Sequence, residues 1–262
     1  MSEDLVLVDT SRPHIRVITM NRPDKRNALN IPLLEAFCRA VDEANQDGDT
    51  RVIIITGAGP VFCAGLDLTE ARDTGKSHRS GELVGKALKA IMNSPHTTIA
   101  AARGVAVAGG AGFMLACDLS VVADDFRVGF VEVRRGLVAA FVMTFLRRKV
   151  GEPKAREMLI LGELMSAEEA KAAGLVNRVV PADSIMGEAF AFAYTALKGA
   201  PMAIRRTKKL FDELYHLPVS EHIDHATEFH KDMRTTEESK EGLAAYAEKR
   251  LPKWDPEAKG KA

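Results

Sequence analysis

Apolar positions along this chain fall into two patterns, short runs of strand length and longer stretches with helical spacing. Residues 5–8 and 15–20 read as two strands, with Ser11-Arg12-Pro13 as the hairpin turn between them. A polar turn covers residues 21–26. Pro32 then suits the first turn of a helix whose apolar side carries Leu33, Leu34, Phe37 and Val41. Residues 52–56 form an unbroken apolar strand pattern. The polar, glycine-containing stretch 70–81 reads as a mobile loop, and Leu83, Ala87, Ala90 and Ile91 mark a helix ending near Pro95. Strand character returns at 97–102 and 104–107, a short helix follows over 110–117, and 119–123 and 127–131 are again β-like.

This β/α alternation predicts an α/β fold with a parallel sheet and crossover helices. From about Val138 onward the pattern is mostly helical, apart from a short β-like stretch at 176–180 before Pro181. No strand pattern recurs between Pro201 and Arg250, so a core over residues 1–200 and a helical subdomain over 201–262 are expected. The sequence holds no internal repeat and no low-complexity segment.

Composition narrows the classes. Thirty-six basic residues balance 36 acidic ones, which gives no reason to expect nucleic acid or anionic membrane as a partner. The three cysteines, Cys38, Cys63 and Cys117, are too few and scattered for a disulfide framework or a paired-cysteine zinc site. No apolar run is long enough to span a membrane, and the acidic N-terminus has no signal core, so a cytoplasmic protein is expected.

Two small-residue turns carry the candidate chemistry. One is Ala64-Gly65-Leu66, soon after the 52–56 strand; the other is Gly109-Gly110-Ala111-Gly112, after the 104–107 strand. Where a strand gives way to a helix, the first N–H groups lack intrahelical partners, and small residues let a ligand approach them. Two such turns facing one another would offer two N–H donors to one oxygen, an oxyanion hole. Tight turns and close helix packing are the plainer explanation of the same glycines.

The ordered series Met20-Asn21-Arg22-Pro23-Asp24-Lys25-Arg26-Asn27-Ala28-Leu29, Val61-Phe62-Cys63-Ala64-Gly65-Leu66-Asp67-Leu68, Gly104-Val105-Ala106-Val107-Ala108-Gly109-Gly110-Ala111-Gly112 and Gly129-Phe130-Val131-Glu132-Val133-Arg134-Arg135-Gly136-Leu137 resembles the crotonase family, the enoyl-CoA hydratases and isomerases. Ser166-Ala167-Glu168-Glu169-Ala170 and Ala173-Gly174-Leu175-Val176 extend the likeness. The resemblance implies a repeated ββα spiral core with a helical C-terminal region that assembles subunits and lids the pocket. It implies homotrimers or dimers of trimers, and a substrate that carries coenzyme A, with no permanently bound cofactor. On matching positions, the N–H groups of Leu66 and Gly109 would hold the thioester oxygen. Lys25, Arg26, Ala64, Leu68 and Gly110 would line the coenzyme A path, and Phe141 with the 70–81 stretch and the C-terminal helices would line the acyl pocket.

Glu132 matches the family's catalytic acid/base, for which a partly apolar site and a raised pKa are suitable. An ordinary surface glutamate paired with Arg134 or Arg135 is its alternative. Gly112 is the departure: many family hydratases carry a second glutamate there. Hydration of a 2-enoyl-CoA and 3-to-2 double-bond isomerisation therefore both stay open, as does a catalytically silent acyl-CoA binder or assembly subunit. Lys25 and Arg26 read equally as a solvated turn. Ala64 and Leu68 read equally as core packing. Asp67 fits a purely local hydrogen-bonding role, and Glu70, Asp73 and Glu82 are further acids that could enter the site, with solvated surface as their plainer reading.

Other signals lead nowhere specific. His222, His225 and His230 lack companions for a metal set. Gly57-Ala58-Gly59-Pro60 starts like a dinucleotide fingerprint but lacks its last glycine. No serine lies in a nucleophile motif to partner His78 or His96, and the carboxylate and histidine of a dehalogenase are not identifiable. The run Arg205, Arg206, Lys208, Lys209 has no interleaved aromatics and reads as a solvated helix face.

Overall fold

The computed structural model describes residues 4–260. The predicted hairpin is present as β1 (Val6–Arg12) and β2 (Ile15–Met20), paired antiparallel. Its first strand runs through Ser11 and Arg12, so the turn falls at Pro13 and His14, whose φ of 65° is left-handed. From β2 onward the large sheet is parallel, through β3 (Val52–Gly57), β4 (Thr97–Ala102), β6 (Leu119–Ala123) and β9 (Arg178–Val180). All of β4 and most of β3 are buried, which explains their uninterrupted apolar lettering. A second sheet holds β5 (Val105–Val107), β7 (Arg127–Gly129) and β8 (Leu164–Ser166).

Three successive units share one plan. β3 leads to an extended segment, residues 62–66, and then to α3 (Thr74–Met92). β4 leads to β5 and α4 (Gly109–Ala116), and β6 leads to β7 and α5 (Ala140–Leu161). The first strand of each unit joins the large sheet. The second joins the small one, the 62–66 segment through a parallel bridge between Cys63 and Ala106. This is the ββα spiral that the resemblance implies, repeated in structure where the letters show no repeat. α1 (Ile31–Gln46) begins at Asn30, whose side chain accepts from Leu33 N–H, and stacks Phe37 on Phe113 of α4 at 4.7 Å.

Stretch 70–81 is not a loop. It contains the second half of α2 (Leu68–Ala71), capped by Asp67, and the first turns of α3, capped by Asp73 through Lys76 N–H. The buried side of α3 starts only at Ser80 and Leu83, so its opening turns face outward and carry no apolar period. Strand character after Gly104 is also briefer than the letters suggest. β7 stops at Gly129, and residues 131–135 form a 3-10 turn. β8 is an additional strand within the stretch read as helical, too short to leave a pattern.

After α6 (Ala167–Ala172), capped by Ser166, α7 (Ile185–Leu197), with its buried face of Ile185, Ala189, Ala193 and Leu197, precedes the C-terminal helices. These are α8 (Pro201–His216), α9 (His222–Arg234) and α10 (Glu237–Ala247). The guanidinium of Arg51 donates to the carbonyls of Leu197, Gly199 and Trp254, and Lys208 donates to Asp118 and the His96 carbonyl. Part of the basic run is thus structural: Lys208 anchors α8, while Arg206 and Lys209 pair with Asp232 and Glu213. No helix among the described residues is long and apolar enough to cross a membrane.

Candidate functional site

Three parallel strand ends build the site. The 62–66 segment, β5 and β7 run side by side, with Cys63 opposite Ala106 and Val107 opposite Gly129. Their C-terminal ends therefore emerge together. Leu66 lies three residues beyond the first register position, Gly109 two beyond the second, and Glu132 three beyond Gly129. All three line one cavity of about 530 Å³.

Hydrogen bonding fixes where Leu66 points. Leu29, opposite it, donates to Gly65 O and accepts from Asp67 N–H. Both bonds go to the flanking residues, so Leu66 turns its own N–H to the other edge, the edge where Cys63 pairs with β5. Gly65 makes this possible with a φ of 83°. A Cβ on it would sit 3.0 Å from Val107 O and 3.1 Å from the Ala108 Cβ, so the two turns are in contact. Gly109 opens α4, and its N–H has no intrahelical acceptor. The peptide presenting it follows Ala108, held at φ 51° and ψ −126°, a conformation that costs an alanine roughly 1–3 kcal/mol. Among the described residues, neither N–H donates to a protein acceptor.

Glu132 sits in the first turn of the 131–135 segment, half-buried, with its Oε2 buried and without a hydrogen-bond partner. Burial pushes its carboxyl above the ordinary glutamate range, outweighing its own backbone N–H and Arg135, which pull the other way. It makes no ion pair with Arg134, which instead pairs with Glu163 and donates to Leu161 O. Apart from Arg135, the wall near it is apolar, formed by Leu137, Val138, Phe141 and Val142 beyond the turn and by Val84 of α3.

Lys25, Arg26, Ala64, Leu68 and Phe141 all line this cavity. Gly110 does not. It is buried, and a Cβ there would lie 2.6 Å from both the Cβ and carbonyl oxygen of Cys63, so its smallness serves packing. Gly112 is likewise buried and outside the cavity lining; a Cβ there would meet Leu88 at 3.4 Å. Ser77 and Gly81 line the cavity from α3 as expected of the 70–81 stretch, but no residue of α8 to α10 does so within this chain.

A polar frame that the letters show only as a turn holds the mouth. Arg22 bonds Ala28 O and, at 2.6 Å, Asp67, the residue directly after Leu66. Burial alone would raise the Asp67 carboxyl; Arg22 and the Thr69 N–H overcome it and hold the group below its usual range. Asn27, fully buried, accepts from Arg22 N–H and donates to Ala58 O and Val61 O. The run Asn21 to Asn27 is thus the fastening between the cavity mouth and the Leu66 strand. Glu70 caps α1 through Ile31 N–H, and Glu82 pairs with Arg79. His225 bonds Glu213 and His222 meets Leu217 O; no three histidine, cysteine or acid side chains among the described residues cluster as metal ligands would.

Comparison with known proteins agrees in fold and extent. The family model described as enoyl-CoA hydratase/isomerase matches residues 10–257. A Thermus thermophilus protein, provisionally named an enoyl-CoA hydratase, is 36% identical over 253 residues, 95% of this chain and 100% of that one. Enoyl-CoA hydratase EchA19 of Mycobacterium tuberculosis is 31% identical over 247 residues, 92% and 93% of the two chains. The crystal structure of enoyl-CoA hydratase from Bacillus anthracis superposes with a TM-score of 0.90 at 30% identity, covering 95% of this chain and 98% of that one.

Proposed function

Because this chain belongs to the enoyl-CoA hydratase/isomerase family, we propose that it adds water to a 2-enoyl-CoA, using Glu132 as its single proton-transferring side chain. The observation that carries this reading is the common wall: Leu66, Gly109 and Glu132 all line one cavity. In the proposed step Glu132 takes a proton from water as the water oxygen bonds to C3. The C2=C3 electrons move toward the thioester carbonyl, whose oxygen gathers charge between the two N–H groups. Glu132 then returns its proton to C2, so that the product gains one H and one OH. Each such backbone donor is worth about 10²–10³ in rate. The raised carboxyl suits both halves of this relay.

Coenzyme A enters as part of the substrate, with Lys25 and Arg26 meeting its charged end and Ala64 and Leu68 flanking its path. The acyl group faces Phe141. The relatives named enoyl-CoA hydratases support hydration. A second reading, 3-to-2 isomerisation, is favoured by Gly112, which supplies no second carboxylate for water; Glu132 would carry one proton from C2 to C4 of the same substrate. Absorbance of the conjugated enoyl thioester tests both. Its loss from a 2-enoyl-CoA supports hydration, and its appearance from a 3-enoyl-CoA supports isomerisation. No change with either substrate, while the acyl-CoA binds, leaves a silent binder and rejects both.

A further inference from the structure

Arg135 is an exposed cation on the cavity lining, close to Glu132, that the proposed reaction does not use. It shares the cavity and the 131–135 turn with Glu132, three residues on, and side chains at that spacing on a 3-10 turn lie one above the other. Its neighbour Arg134 is occupied by Glu163 and the Leu161 carbonyl. Arg135 forms no ion pair with any carboxylate among the described residues. Glu132 feels its charge, which pulls that carboxyl down against the larger effect of burial, but the two form no ion pair. Of the other acids on the lining, Asp67 is taken by Arg22, and Asp24 lies on the mouth turn beside Lys25 and Arg26. The residues that follow Arg135 along the wall, Leu137, Val138, Phe141 and Val142, have no polar side-chain group.

A guanidinium in such a wall keeps its water while the cavity is open. An all-hydrocarbon acyl group lying against the exposed guanidinium offers it nothing in exchange for the water it displaces there. A carboxylate on the acyl group would accept two parallel N–H bonds from it. We propose that Arg135 recognises a second carboxylate, so that the cavity selects acyl-CoA substrates whose acyl chain ends in an acid. This rests on the reading of the cavity as an acyl-CoA site.

Calorimetric titration of the purified protein with glutaryl-CoA, pentanoyl-CoA and free coenzyme A tests it. Glutaryl-CoA is expected to bind about 10- to 100-fold more tightly than pentanoyl-CoA, the range of one charge-assisted bidentate contact. Arg135→Leu should erase that ratio, and Arg135→Lys, a point charge without the fork, should keep part of it. Equal affinities in the unaltered protein overturn the proposal, as does a ratio that survives Arg135→Leu. An equal loss of free coenzyme A affinity in Arg135→Leu also overturns it, by assigning the arginine to the nucleotide end. Turnover separates this from the parent reading. If the binding preference holds while neither glutaconyl-CoA nor 2-pentenoyl-CoA reacts, the reaction assignment fails and Arg135 stands. If both react with equal kcat/KM, Arg135 fails and the reaction stands.

Discussion

Glu132→Gln separates the two consequences of leaving a carboxylate buried without a partner. Its Oε2 is buried and unbonded, and burial holds the group above the ordinary glutamate range. A raised folded-state pKa means that the folded protein binds this proton more tightly than the unfolded chain does. Ionisation therefore removes stability as pH rises from the ordinary glutamate range through the raised value, and the deficit is constant above it. The amide keeps the shape and discards the charge. Because the residue is only half-buried, the gain at neutral pH is about 1 kcal/mol, or ~2 °C in Tm for a chain of this size. Turnover moves the opposite way, falling by about 10³-fold or more, since one group handles the proton in both halves of the reaction. Thermal melts from pH 4 to 8, kcat on 2-enoyl-CoA and calorimetry with coenzyme A give the three readouts. The melting curves should coincide in acid and separate with rising pH, kcat should collapse, and coenzyme A affinity should stay unchanged. In the unaltered enzyme kcat should rise with pH through the same raised pKa. A variant within ~10-fold of the parent in kcat would refute the assignment of Glu132, and one less stable at pH 8 would refute the account of its burial.

The two neighbouring glycines of α4 should respond differently to alanine. Gly112→Ala meets only the movable end of Leu88 and gains helix propensity, so denaturant titration should show it up to about 1 kcal/mol more stable. Gly110→Ala drives a Cβ into the Cys63 main chain and should lose about 1–3 kcal/mol by the same measurement; comparable stabilities for the two would contradict the packing described. Phe211 of α8 and Ile223 of α9 are each 75% exposed in the isolated chain. Sedimentation should find a trimer or a dimer of trimers, as the resemblance implies, and a monomer at micromolar concentration would reject that assembly.

The large sheet is legible in the letters because parallel strands buried on both sides write themselves as unbroken apolar runs, as at Val52–Gly57 and Thr97–Ala102. The short strands of the second sheet, three residues each, are too brief for a period to declare itself, which is why β8 is missed and β7 is read too long. The opening of α3 is obscured for a different reason. Its first turns face outward, and the informative letter is the capping Asp73, not any apolar spacing. Of the candidate site, motif order already singles out Leu66, Gly109 and Glu132, which line the same cavity. Gly110 cannot be told from Gly109 that way, because both are glycines after a strand and only three-dimensional packing puts Cys63 against one of them. The Arg22–Asp67 fastening joins residues 45 apart, and no local pattern announces it.

Ala108 carries the dihedral strain that aims the first N–H of α4, while both of the proposed polarising groups belong to the main chain. Side-chain mutation cannot delete a peptide amide; only proline removes one outright. The part of this pocket that stabilises charge is thus inherited with the fold, whereas the part that chooses where protons go hangs on individual codons. A lineage can exchange its acids and redirect the chemistry without having to rebuild the electrostatic floor beneath it.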